Sequence, residues 1–160
     1  MLESLLVPEE RIGVLTREVR DRLERETEVK TRIDGNAVLL DGEGIAMLTA
    51  RNFVRAIGRG FSPERAWRLL QDEQTLDVIE LGQLSDSRQK NVRARVIGSG
   101  GRMRGRIELK TGAIISVYHK TISIIGDWEQ VQKARKAIEM IIKGSEISTV
   151  NRYLERGKVK

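Results

Sequence analysis

The sequence predicts an α+β protein of two tandem β-α-α-β-β-α units, each a three-stranded sheet packed on helices. A short extra helix is expected after each unit. Three observations carry this prediction. The chain repeats itself at a spacing of 84 residues. Each half holds two short apolar runs joined by a turn and followed by a long amphipathic helix. A glycine cluster interrupts a helical stretch in the second half, between positions expected for its first two helices.

The repeat is visible in residues that match in type and share a phase. Thr27 falls on Thr111, and Val38, Leu40 and Gly42 fall on Ile122, Ile124 and Gly126. Ala50-Arg51 falls on Ala134-Arg135, Ile57 on Ile141, Gly60 on Gly144 and Leu70 on Leu154. The expected units are residues 1–72 and 73–160.

The second copy is the clearer one. Asp77 to Leu81 reads as a strand. Asp86 to Ile97 reads as a helix with Ser85 or Asp86 as its N-cap. Gly98-Ser99-Gly100-Gly101 must break it, and Arg102 to Lys110 resumes a helix that Gly112 stops. Ala113 to Tyr118 and Thr121 to Ile125 are rich in β-branched residues and read as strands joined through Tyr118, His119 and Lys120. Asp127 caps a long helix whose apolar face is Val131, Ala134, Ile138, Ile141 and Ile142. A helix over Ser148 to Arg156 follows.

The first copy follows the same plan. Leu5-Leu6-Val7 is the expected first strand, and Pro8 opens a helix. Thr16 to Glu26 is the second helix; Lys30 to Ile33 and Ala37 to Leu40 form a hairpin. Met47, Ala50, Phe53, Val54 and Ile57 mark the third helix, and Ser62-Pro63-Glu64 starts a linking helix ending near Leu70.

The chemistry concentrates around the glycine cluster. Glycines let a backbone approach a phosphate closely because no Cβ intervenes. The N–H groups opening the next helix present partial positive charge to it. Between Arg88 and Lys110 lie eight basic residues, and Glu108 is the only acid. The residues expected to contact a single-stranded nucleic acid are therefore the loop Gly98, Ser99, Gly100 and Gly101 with the cations Arg93, Arg95, Arg102, Arg104, Arg106 and Lys110. Ile97, Ile107 and Val117 are assigned to an apolar groove beside the loop. A GxxG tetrad alone is weak evidence. Combined with this element order and charge, it resembles the KH module, which clamps a short single strand of RNA.

The first copy differs at this point. Arg11-Ile12-Gly13 corresponds to Val96-Ile97-Gly98, but Val14, Leu15 and Thr16 supply no second glycine. A shortened loop is expected, with no GxxG grip and a scaffolding or protein-docking role.

Other chemistries are excluded or disfavoured. The chain has no cysteine, so disulfides and thiol nucleophiles are absent. No Gly-Lys-Ser/Thr triplet supports a P-loop, and Met103 stands where a dinucleotide loop needs glycine. His119 is the only histidine, sits in a turn and reads as a surface residue. Trp67 and Trp128, near helix starts, read as packing residues rather than base-stacking ones. No catalytic residues, metal ligands or cofactor are expected. No apolar run approaches membrane-spanning length, and Met1-Leu2-Glu3-Ser4 does not open a signal peptide, so a cytoplasmic protein is expected. The net charge of +6 suits a polyanionic partner.

The stretch Val96 to Gly144 resembles the second KH domain of archaeal ribosome-assembly KH proteins, relatives of the eukaryotic partner-of-Nob factor. Ile115 to Tyr118, Lys120-Thr121, Ile124 to Asp127, Ser148 to Val150 and Leu154 to Arg156 carry the likeness. Ala56 to Glu64 matches that family's link after its first domain. The resemblance implies binding near the 3′ end of small-subunit rRNA during its maturation. It also implies partners: a rRNA-trimming endonuclease and a translation initiation factor alpha subunit. Ser99 and Gly100 occupy loop positions where that family usually has a lysine. Arg106 stands where it tends to be aliphatic. A general RNA-binding regulator, or a scaffold with incidental RNA contact, is the alternative.

Overall fold

The structure is a computed structural model and describes residues 1–156. The last four residues of the second expected unit, 157–160, lie outside the described residues. The chain divides into one compact unit over Met1–Asp72 and another beginning at Glu73.

In the first unit the order is β1 (Leu2–Leu6), α1 (Glu9–Ile12), α2 (Arg17–Thr27), β2 (Lys30–Asp34), β3 (Ala37–Asp41) and α3 (Gly44–Gly58). A short helix, α4 (Pro63–Ala66), and a 3-10 turn over Trp67–Leu70 follow. The sheet is antiparallel in the order β1-β3-β2. Val38 and Leu40 on its central strand are fully buried, as are Leu23 of α2 and Ala50, Phe53, Val54 and Ile57 of α3. Thr16 caps α2 by accepting from the Val19 N–H. Trp67 stacks on Phe53 at 4.3 Å, with the Arg22 guanidinium 4.1 Å from its ring centroid.

The second unit runs β4 (Thr75–Glu80), α5 (Asp86–Ile97), a 3-10 turn (Ser99–Gly101), α6 (Arg102–Thr111), β5 (Ile114–Tyr118), β6 (Thr121–Gly126), α7 (Trp128–Ile142) and α8 (Ile147–Arg156). Its sheet is antiparallel in the order β4-β6-β5, so β5 is an edge strand. Ile122 and Ile124 of the central strand meet Val92 and Val96 of α5, Ile107 of α6, and Val131, Ile138 and Ile141 of α7 in one core. Val150 and Leu154 join that core, so α8 is an integral wall of the unit. Asp127 and Gln130 form a reciprocal capping box at the start of α7.

Both first strands begin earlier than their apolar residues indicate. β1 occupies Leu2–Leu6 rather than Leu5 to Val7, and β4 occupies Thr75–Glu80 rather than Asp77 to Leu81. The central strand decides the extent: β6 pairs along its whole length, from Thr75 opposite Gly126 to Glu80 opposite Thr121. Backbone pairing extends a strand through polar residues that composition alone does not mark.

The repeat extends to hydrogen bonds. The Thr27 hydroxyl donates to the Leu23 carbonyl at 2.7 Å and accepts from the Val29 N–H. At the same spacing, Thr111 donates to the Ile107 carbonyl at 2.7 Å and accepts from the Ala113 N–H. Glu28 and Gly112, which follow these threonines, both end their helices with positive φ. Among the described residues no helix is long and apolar enough to cross a membrane.

Candidate nucleic-acid interface

The α5–α6 corner begins with a well-anchored helix. Ser85 caps α5 by accepting from the Arg88 N–H, and Val92 and Val96 hold its inner face in the core. The helix ends where Gly98 takes φ 75° and ψ 175°. A Cβ at this position would stand 2.7 Å from the Met103 Cβ and 2.8 Å from its backbone nitrogen. Both the backbone angle and the space therefore require glycine. Gly100 and Gly101 also have positive φ, at 59° and 80°, and the Gly101 N–H closes the turn on the Gly98 carbonyl at 3.1 Å. The result is a tight exposed corner with α6 starting immediately behind it.

The arginines after the loop divide between two faces of α6. Met103 and Ile107 point into the core; Ile107 has no exposure and presents no surface to a strand, contrary to its expected place in the groove, because the apolar face of α6 packs inward. Arg104 lies one turn before Glu108, whose carboxylate accepts from the Ile115 N–H of β5 at 2.8 Å. Residues four apart share a helix face, so Arg104 belongs to the β5 side. Arg102 and Arg106 instead line a cleft with Ile147 and Asn151 of α8. Arg106 thus lies on the α8 side of the helix.

Three expected cations are bonded within the protein. Arg95 donates to the carbonyls of Ile141 at 3.2 Å and Ser145 at 2.5 Å, tying α5 to the end of α7. Lys110 pairs with Glu155 of α8 at 2.7 Å. Arg93 bridges from α5 to the hairpin turn, donating to the His119 carbonyl at 3.0 Å. Ile97 is half-buried beside the loop, and half-buried Val117 packs against the core from the edge strand. The structure thus brings together Gly98 to Gly101 with the exposed Arg102, Arg104 and Arg106. Charge spacing does not distinguish these from Arg95 and Lys110.

The corresponding corner of the first unit is not shortened. Four residues separate α1 from α2, as four separate α5 from α6. The difference is conformational. Gly13 takes ordinary helical angles, Leu15 is buried and Thr16 serves as a cap. Arg11 donates to the carbonyls of Ile57 at 2.8 Å and Phe61 at 2.6 Å. These partners lie 84 positions before those of Arg95, so Arg11 corresponds to Arg95 and not to Val96, one residue from the match expected in the sequence, and the two arginines are the same structural brace.

His119 is exposed at the turn, with φ 50°. Tyr118 contacts its ring edge-on, with centroids 4.2 Å apart. Trp67 packs on its own unit, but Trp128 is 69% exposed, contrary to the packing expectation. It occupies the first turn of α7, ahead of Val131, where the helix begins to be buried. Sequence reasoning also missed Ile147 and Asn151 beside the loop. They are some 50 residues distant in sequence and bear no charge or periodic signal pointing there.

A β-α-α-β-β-α unit with a glycine loop between its first two helices defines a type I KH domain. Residues 75–158 match the eukaryotic type KH domain (KH-domain type I) in the form of the second domain of PNO1 proteins. A KH domain-containing protein of Methanocaldococcus jannaschii is 38% identical over 170 aligned positions, covering 99% of this chain and 75% of that protein. The chain belongs to the PNO1-type family of KH-domain proteins. Its structure is similar to the crystal structure of Dim2p from Pyrococcus horikoshii, with TM-score 0.92 and 40% identity over 98% of this chain and 99% of that one. A second P. horikoshii structure holds aDim2p in complex with a/eIF2alpha and rRNA. It matches with TM-score 0.92 and 40% identity, covering 99% of this chain and 94% of that one. A protein of unknown function from Aeropyrum pernix is similar at TM-score 0.92 and 36% identity, over 98% of this chain and 89% of that one.

Proposed function

We propose that the chain is a non-catalytic RNA-binding assembly factor of the small ribosomal subunit. It grips single-stranded rRNA near the 3′ end through its second unit. The observation that carries this reading is the Gly98 to Gly101 corner, with three glycines at positive φ and α6 starting directly behind it. Such a corner lets a sugar-phosphate backbone lie against main-chain atoms while Arg104 adds positive charge from the β5 side. Bases splayed from that backbone would cross the groove bounded by Ile97 and Val117, with Arg93 at its far end. The likeness to aDim2p, which has been crystallised with rRNA and a/eIF2alpha, supports rRNA as the ligand and an initiation factor alpha subunit as a partner.

In this reading the first unit, residues 1–72, is a KH fold without a phosphate-gripping loop and serves as a docking platform. A rRNA-trimming endonuclease is a further partner, supported by the family resemblance. The setting of this work is the cytoplasm. If six phosphates are neutralised, affinity for single strands should fall with log salt at a slope of about −4.

The test is binding of short single-stranded RNAs from the small-subunit 3′ end, with scrambled controls, to wild type and Gly101→Asp. Selective binding lost in the variant is expected. Binding that is absent, or indifferent to both sequence and substitution, would leave a protein scaffold as the function.

A further inference from the structure

The loop has a second flank that the KH groove does not use. On the side away from β5, Gly98, Ser99, Arg102 and Arg106 face Ile147 and Asn151 of α8 across a cleft of about 450 Å³. That volume lies within the range of small-ligand pockets. Arg102 and Arg106 are one helical turn apart and exposed, and neither is paired with a carboxylate among the described residues. The opposite wall is uncharged. The Asn151 side-chain amide oxygen, Oδ1, is buried without a hydrogen-bond partner. A buried acceptor without a donor is unfavourable, and turning its amide toward a donor in the cleft would relieve this.

We propose that this cleft takes the nucleotide adjoining the strand held by the loop. Arg102 and Arg106 would hold its phosphate, Ile147 would contact the base and Asn151 would pair with a polar edge. This rests on the RNA reading above and extends it: α8 becomes a binding element, and the site exceeds the stretch of about four nucleotides one KH module clamps. RNA is favoured over an acidic peptide because the cleft shares Gly98 and Ser99 with the loop. A strand leaving the loop therefore reaches it without a break. Lys110, one turn beyond Arg106, is bonded to Glu155, which holds α8 against α6 beside the opening.

The test uses the full chain, a tetranucleotide, and an RNA of about eight nucleotides containing it, twice the clamped length. The double variant Arg102→Gln with Arg106→Gln is compared with wild type. The longer RNA should lose about fivefold in affinity, the scale of two exposed ion contacts. Its salt slope should shrink by about 1.4, two phosphate contacts at about 0.7 each. Tetranucleotide affinity should fall by clearly less than that of the longer RNA. The NMR signal of the Asn151 side-chain amide should move with the longer RNA alone. Equal losses on both RNAs would assign the arginines to the loop's own grip and overturn the proposal. No loss on either, with the tetranucleotide still bound, would also overturn it and leave an acidic peptide as the occupant. If wild type does not bind even the tetranucleotide and Gly101→Asp changes nothing, the RNA reading itself fails.

Discussion

Arg51 and Arg135 stand at equivalent positions in the two units, and each guanidinium is bonded to a carboxylate on the first strand of its own sheet. Arg51 donates to Glu3 through two nitrogens, at 2.8 Å and 2.6 Å. Arg135 donates to Asp77 at 2.6 Å and to Glu139, one turn along its helix, at 2.9 Å. Each pair pins an outer strand to the long helix packed on the sheet.

The second of these pairs should contribute measurably to stability. Arg135→Ala is expected to cost about 1 kcal/mol, the upper end for a partly exposed ion pair. Denaturant unfolding would show it as a lower midpoint. An unchanged midpoint would mean that solvent replaces the contact fully.

The first pair should give a pH signature. Its hydrogen bonds to Arg51 hold the Glu3 carboxyl below its ordinary value, against a smaller opposing effect of burial. A lowered folded-state pKa stabilises above the unfolded value, and the benefit is lost as pH falls through the folded value. The melting temperatures of wild type and Glu3→Gln should therefore differ near neutral pH and converge in acid, below the carboxylate range. A gap that persists in acid would point to packing instead of charge.

Stability and RNA affinity should separate at Arg95 and Arg104. Arg95→Ala removes two charge-assisted bonds to carbonyls and should cost about 2 kcal/mol, with little change in the salt slope of RNA binding. Arg104→Ala should leave stability within about 0.5 kcal/mol and reduce that slope by about 0.7. The reverse pattern would return Arg95 to the RNA interface.

Within the loop, the glycines should not be equivalent. Gly98→Ala meets Met103 and must also hold φ 75°, so a loss of about 2 kcal/mol or more is expected. Gly100→Ala has open space and bears only the left-handed backbone, costing about 1 kcal/mol. Calorimetry of the two variants would check the order.

The C-terminal helix should behave as part of the core. Leu154 is fully buried, and Leu154→Ala should cost about 3 kcal/mol. A loss under about 1 kcal/mol would mean that α8 detaches easily.

The repeat, the element order and the loop were legible in the sequence because each rests on local signals. Glycines mark the α5–α6 corner, β-branched runs mark β5 and β6, and helical spacing marks α7. The starts of β1 and β4 were not legible, since pairing across the sheet extends them. The cations show the same divide. Arg95, Arg102 and Lys110 look alike in a basic run, and only folding shows that Arg95 reaches Ser145, Lys110 reaches Glu155 and Arg102 faces solvent. Asn151 carried no signal, because its place beside Gly98 depends on how α8 packs against α6.

If the loop grips RNA as proposed, the packing of Gly98 against Met103 bears on the thermodynamics of that grip. A loop packed against its own following helix would then have less freedom to surrender on binding. The ordering entropy of association then falls almost wholly on the RNA. Affinity across a series of sequences should accordingly track how easily each strand unstacks and extends, while the protein side contributes a nearly constant term.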